Sequence, residues 1–227
     1  AYAPIANDGT SLAPDLLERV ETPDGRTLQS HQPSAARAMD PAVAYLLVHT
    51  MRGVVDRGTA AAARSLGLAA AGKTGTTDGF TDAWFAGFNP DLTVVVWVGY
   101  DRKRRIGRNM TGAHAALPIW MQILRRGLDE GWVLPAERRD FQVPPGIIFR
   151  AVEPESGRLA GAAAPRSLQE AFLVGTEPVQ EYTQKWGRVL DLPWYQQRRF
   201  YGKPKDGERM PEEIEDWDAV LTRRAAQ

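Results

Sequence analysis

One stretch limits what this chain can fold into more than any other: residues 71–87, AGKTGTTDGFTDAWFAG, which run on into 92–100. Lys73, Thr74, Gly75 and Thr76 set a cation, two hydroxyls and a position without Cβ side by side. That group suits an anionic carboxylate or phosphate. Residues 82–88 and 93–100 flank Asn89-Pro90-Asp91, a turn tripeptide, and so predict a hairpin. Residues 94–98 are apolar without a break, which predicts a strand covered on both faces. Which anion is bound depends on whether 73–76 is a loop or a strand.

The loop reading rests on a letter-for-letter match: Gly67, Gly72, Lys73 and Thr74 satisfy the G-x-x-x-x-G-K-[ST] phosphate loop. Such a loop needs a buried strand before its first glycine and a helix springing from its lysine. Residues 60–65, AAAARS, favour helix over strand, and the Thr-Gly-Thr-Thr-Asp-Gly run after Lys73 starts a helix poorly. A P-loop NTPase is therefore the weaker alternative. On the strand reading, 73–77 lies at a sheet edge and its unpaired backbone groups take an extended peptide alongside. Gly75 removes a Cβ where that peptide approaches, Thr74 and Thr76 offer hydroxyls to a carboxylate, and Lys73 supplies positive potential. These are parts of an acyl-transfer site without a nucleophile.

The remaining chain supplies the frame. Residues 1–6 read as a helix end stopped by Asn7-Asp8-Gly9, so that the chain starts mid-domain. Pro23-Asp24-Gly25 predicts a hairpin of 18–21 with 26–29. Asp40-Pro41 starts a helix over 41–57 whose core stripe is Val43, Leu46, Leu47, Thr50, Met51, Val54 and Val55. A second helix over 111–126 carries Pro118 in its first turn and presents Ile119, Trp120, Ile123 and Leu124. Five basic residues in the seven of 102–108 read as a solvated loop or an anion contact. Residues 143–157 predict a third small hairpin, 203–207 a linker, and 211–221 a short acidic terminal helix.

Composition excludes more than it selects. A chain of 227 residues buries a sizeable core, as one domain or one and a fraction. Zero formal net charge points to no nucleic acid, and the absence of cysteine removes disulfides, thiol nucleophiles and zinc ribbons. His31, His49 and His114 lack metal-ligand spacing, and His49 reads as a satisfied partner within its helix.

Lys73-Thr74-Gly75 resembles the third motif of the penicillin-recognising serine acyltransferases, the companion of S-x-x-K and S-D-N. The wider pattern is similar to the transpeptidase domain of class A penicillin-binding proteins of the 1A type. The matching residues include Asp82-Ala83-Trp84-Phe85 with Gly87, Val96-Trp97-Val98-Gly99-Tyr100-Asp101 and Pro118-Ile119-Trp120. Ala1-Tyr2-Ala3, Ala6-Asn7 with Gly9, Gly58-Thr59, Pro144-Pro145-Gly146 and Gly175-Thr176-Glu177-Pro178 extend the likeness over 1–178. K-T-G alone is weak evidence; this ordered combination is strong.

The resemblance implies an α+β fold, an antiparallel sheet flanked by helices as in penicillin-binding proteins and serine β-lactamases, but incomplete. The change in sequence character divides the chain into a transpeptidase part in 1–139, a small β-rich appendage in 140–181 and a polar tail in 182–227 with a possible terminal helix. The resemblance implies a serine-type D,D-transpeptidase that crosslinks peptidoglycan, with D-Ala-D-Ala stem peptides and β-lactams as partners and no cofactor. Lys73 would hold the proton network around the nucleophile. Thr74, Gly75, Thr76 and Thr77 would bind substrate, with the Thr76 N–H as one oxyanion donor. Trp84 and Phe85 are expected as core and sheet-packing residues. The implied location is the outer face of the cytoplasmic membrane or the periplasm, anchored only through a preceding part.

Two departures qualify this. No serine has lysine three residues on, and Ser34 with Arg37 offers only a cation that does not deprotonate. No Ser-x-Asn occurs either. The expectation is that both motifs precede Ala1 and that this chain alone is inactive. A non-catalytic module binding peptidoglycan or a partner protein is the other alternative.

Overall fold

Asn89 shows how local chemistry makes the central hairpin. Its buried side chain accepts the Leu92 N–H at 2.8 Å, and its own N–H reaches the Leu92 carbonyl at 3.0 Å. The chain reverses there and the flanking β-rich runs pair. In the computed structural model, which describes residues 1–14, 16–30, 34–162 and 164–182, the elements follow in order. They are α1 (Tyr2–Ala6), β1 (Thr10–Leu12), β2 (Arg19–Glu21), β3 (Thr27–Ser30), β4 (Ala35–Arg37) and α2 (Pro41–Asp56). A 3-10 helix (Ala61–Leu66) leads to β5 (Ala71–Thr76), β6 (Asp82–Phe88) and β7 (Thr93–Gly99). Then come α3 (Leu117–Glu130), β8 (Ile147–Val152) and β9 (Leu168–Leu173). The central sheet is antiparallel in the order β5-β6-β7, and β1 pairs β4, β2 pairs β3 and β8 pairs β9. The expected α+β architecture is what forms.

Register assigns the faces. Phe85 stands opposite Thr74 and Val96, and Gly87 opposite Gly72 and Val94. On this face α3 lies over the sheet, and Phe85 meets Trp120 edge-on with ring centroids 5.2 Å apart. Both rings are fully buried with Leu117, Leu124 and Val133, and each contributes about 2–3 kcal/mol. A Cβ on Gly72 would stand 2.6 Å from the Phe85 ring, and one on Gly87 2.8 Å from Trp120. The second glycine of the phosphate-loop pattern is thus room for an aromatic ring.

The opposite face is covered only in part. Ala71 and Phe88 pack with Val48 of α2, Tyr2, Ile5 and Phe141. Further along, Trp84 and Trp97 are each 43% exposed and Val95 is 50% exposed. The expectation that 94–98 is covered on both faces is therefore corrected. An unbroken apolar run still alternates, and its outward members find no covering layer among the described residues.

Helix α2 begins as expected, with the Asp40 carboxylate accepting the Ala42 N–H at 2.8 Å. Its buried positions are Ala42, Ala44, Tyr45, Val48 and Val55, whereas Val43 and Leu47 are exposed. The period was legible and the facing held for Met51, Val54 and Val55, which pack against the core; nearer the start of the helix the small alanines turn inward instead. Near residue 111 a π-type turn, Gly112–Ala116, precedes α3. Of the expected face, Trp120 and Leu124 are buried and Ile123 packs against the core, and only Ile119 is exposed; Leu117 and Gly127 join the buried side. Of the expected hairpin of 143–157, the turn forms and closes with an antiparallel bridge between Val152 and Leu159, but the ladder partner of β8 is β9.

The chain divides into two compact units, Ala1–Ala151 with Gln169–Glu177, and Val152–Leu168 with Pro178–Gln227. In the first, the β8–β9 pair joins α2: Phe149 packs edge-on to Tyr45 and His49, and Glu170 bonds His49 Nε2 at 2.9 Å and Arg57 at 2.7 Å. In the second, the Glu153 carboxylate accepts N–H groups of Glu155 and Ser156 at 3.0 and 2.8 Å. Burial alone would raise its pKa, but these bonds and the Arg166 charge hold it below the usual range. No helix among the described residues is long and apolar enough to cross a membrane. The expected linker 203–207, the terminal helix 211–221 and His31 lie outside the described residues.

Candidate functional site

Residues 71–76 form a border strand, and the ladder tells which of its groups face outward. The Thr77 N–H donates to the Asp82 carbonyl at 3.1 Å, so position 77 points its polar groups at β6. Antiparallel ladders alternate. Positions 75 and 73 therefore face β6 as well, and the N–H and C=O groups of Thr74 and Thr76 face the open border. The Thr74 carbonyl accepts the Lys73 ammonium at 2.8 Å, as an outward carbonyl can. Lys73 is exposed and makes no ion pair among the described residues. No helix starts at Lys73, and the phosphate-loop reading fails the context it demands.

The hydroxyls have separate surroundings. Thr74 Oγ1 lies 3.0 Å from Thr59 Oγ1, and Thr76 Oγ1 accepts the Gly112 N–H at 3.0 Å. Thr77 is tied into the turn after β5: its hydroxyl lies 2.7 Å from that of Thr81 and accepts the Asp82 N–H at 2.8 Å. The structure thus brings Lys73, Thr74 and Thr76 to one border and anchors Thr77 just beyond it. Gly75 stands opposite Trp84, and a Cβ there would approach the Trp84 Cβ to 3.2 Å.

Around this border, Trp84 and Trp97 lie 6.1 Å apart on the exposed face. Trp84 is therefore not a core residue, unlike Phe85, which is fully buried. Asp82 accepts the Trp97 indole N–H at 3.0 Å and bonds from Thr81 and Thr77 at 3.0 and 3.2 Å. Chiefly the Trp97 bond, then the hydroxyls and the Lys103 charge, hold the Asp82 carboxyl below the usual carboxylate range. In the basic loop, Arg104 stacks on Tyr100 at 3.7 Å and the Ile106 N–H bonds the Phe80 carbonyl at 2.9 Å. His49 is a satisfied partner of Glu170, and no cluster that could hold a metal occurs among the described residues. Sequence reasoning noted Gly58-Thr59 but not its contact with Thr74, and gave no role to Gly112. Nothing in the local sequence announces a contact spanning 36 positions.

The sheet, the packing of α3 and the border strand form an α+β architecture of the kind found in penicillin-binding proteins. The solved structure of penicillin-binding protein 1A from Haemophilus influenzae superposes with TM-score 0.71 at 24% identity, covering 80% of this chain and 32% of that one. The family pattern described as Penicillin binding protein transpeptidase domain matches residues 1–125, and the chain belongs to that family. Curated relatives agree. Penicillin-binding protein 1A of Aquifex aeolicus is 37% identical over 181 residues, 78% of this chain and 24% of that protein. Penicillin-binding protein 1A of Neisseria cinerea is 36% identical over 154 residues, 65% of this chain and 19% of that protein. The chain thus spans a quarter or less of the length of these relatives.

Proposed function

We propose that this chain is the K-T-G-bearing part of a peptidoglycan D,D-transpeptidase of the serine type. The observation that carries the reading is the border position of β5, with the polar groups of Thr74 and Thr76 turned outward beside Lys73. In the complete enzyme a serine supplied from outside these 227 residues attacks the carbonyl between the last two D-alanines. The peptide carbon–nitrogen bond breaks, D-Ala leaves, and the acyl group passes from the serine to an amine of a neighbouring stem. The strand's part is to seat the donor: the hydroxyls of Thr74 and Thr76 and the Lys73 charge hold the terminal carboxylate. The Thr76 N–H stabilises the oxyanion, a contribution worth about 3 kcal/mol for one such donor. Lys73 also favours the proton transfers around the serine. Gly75 keeps the border clear. Thr77 acts by shaping the turn, since its hydroxyl is already engaged. Location outside the cytoplasmic membrane belongs to the same reading.

The experiment is acylation by a fluorescent β-lactam. The 227-residue chain is expected to form no covalent adduct, having no Ser-x-x-Lys. The protein extended at its N-terminus to include such a motif is expected to label stoichiometrically. Labelling of the short chain, or none of the extended one, overturns the proposal.

A further inference from the structure

Two groups behind β5 determine what its hydroxyls can do. A carboxylate only accepts hydrogen bonds, whereas a hydroxyl donates one and accepts two. For Thr74 and Thr76 to hold an anion, each must turn its single proton to the border. Each then needs its other contact to be one in which it accepts. The Gly112 N–H can only donate, so at 3.0 Å it leaves the Thr76 proton free. At Thr74, whose hydroxyl lies 3.0 Å from that of Thr59, the same outcome requires Thr59 to be the donor.

Resting on the reading of β5 as the carboxylate-binding strand, we propose that Thr59 and Gly112 are positioning residues that orient the two hydroxyls as outward donors. Both are placed by close backbone packing. A Cβ on Gly58 would stand 2.8 Å from the Val54 Cα, so the chain leaving α2 folds tightly back and the Ala60 N–H reaches the Val54 carbonyl at 3.0 Å. That turn sets Thr59 against Thr74. A Cβ on Gly112 would stand 2.2 Å from the Trp84 carbonyl oxygen and 2.8 Å from that of Gly75. Only glycine lets the amide at 112 come down over the strand. A hydroxyl that accepts from behind is also polarised as a donor in front.

The test measures binding of N-acetyl-D-Ala-D-Ala and of its C-terminal amide by calorimetry, using the 227-residue chain. Thr59→Val keeps the shape and cannot donate; it is expected to weaken the acid about tenfold and leave the amide unchanged. Thr59→Ser is expected to restore acid binding to within about twofold, which a merely structural role does not require. Gly112→Ala is expected to weaken the acid as well, with thermal unfolding checked for each variant. Should Gly112→Ala unfold, the Thr59 pair decides alone. A wild-type chain that does not prefer acid to amide overturns the strand assignment itself. A wild-type preference that Thr59→Val leaves intact, or that Thr59→Ser fails to restore, overturns only the positioning role.

Discussion

The indole N–H of Trp97 donates to the carboxylate of Asp82 at 3.0 Å, across the exposed face of the central sheet. The same carboxylate receives Thr77 and Thr81, so one charge holds the turn after β5, the start of β6 and the end of β7. Its pKa is depressed in the folded chain. A depressed carboxylate adds stability above its unfolded pKa, about 3.9, and loses it as pH falls through the folded value. Asp82→Asn is therefore expected to be less stable than the wild type at pH 7 and to close the gap below about pH 4. Urea unfolding at a series of pH values measures this; parallel curves for the two proteins contradict it.

Glycines at 72 and 87 face each other across β5 and β6 under the Phe85 and Trp120 rings. Gly87→Ala forces a methyl into a space already filled by both rings. Overpacking of this kind costs about 1–3 kcal/mol. Denaturant titration of Gly87→Ala is expected to show that loss, with near-ultraviolet circular dichroism reporting the displaced tryptophan. Gly131→Ala, where no atom crowds a Cβ but φ is 79°, serves as a backbone-strain control.

How far the sequence could be read depends on the range of the cause. The hairpin at Asn89 and the cap at Asp40 are each set by a few adjacent residues, whereas the second helix, expected to end at 126, runs on to Gly131, where φ is 79°. The border strand was legible because K-T-G-T with a paired apolar run has few other uses. What failed were facings. Val43 and Leu47 have the period of a core stripe, yet alanines occupy the inward side of α2. On α3 the expected Trp120, Ile123 and Leu124 do pack into the core and only Ile119 lies outside it, while no residue pattern marks the π-type turn at 112–116. Thr59 and Gly112 meet β5 only after the chain has folded, so their contacts carry no local signature.

Glu170 joins β9 to α2 by bonding His49 at 2.9 Å and Arg57 at 2.7 Å. The pair is partly shielded, and hydrogen bonds to a charged group contribute about 1.5–3 kcal/mol where they are protected. Glu170→Gln removes the charge and one bond, with an expected loss of about 1–2 kcal/mol. Hydrogen exchange is expected to rise in β8 and β9 before the central sheet. Uniform loss of protection across both would show that the pair is not a local clasp.

Lys73 separates function from stability. Among the described residues its ammonium bonds only the neighbouring Thr74 carbonyl and makes no ion pair, and its side chain is exposed. Substitutions at such positions change stability by no more than about 0.5 kcal/mol. Lys73→Ala is therefore expected to unfold at the wild-type denaturant midpoint while losing its preference for an acid-terminated over an amide-terminated D-Ala-D-Ala peptide. Lys73→Arg keeps the charge but places it on a wider, planar head group, and is expected to recover part of that preference. ATP is expected to bind none of these proteins, because β5 continues as a strand where a phosphate loop would begin its helix. A Lys73→Ala chain that kept full acid preference would move the carboxylate contact onto the two threonines alone.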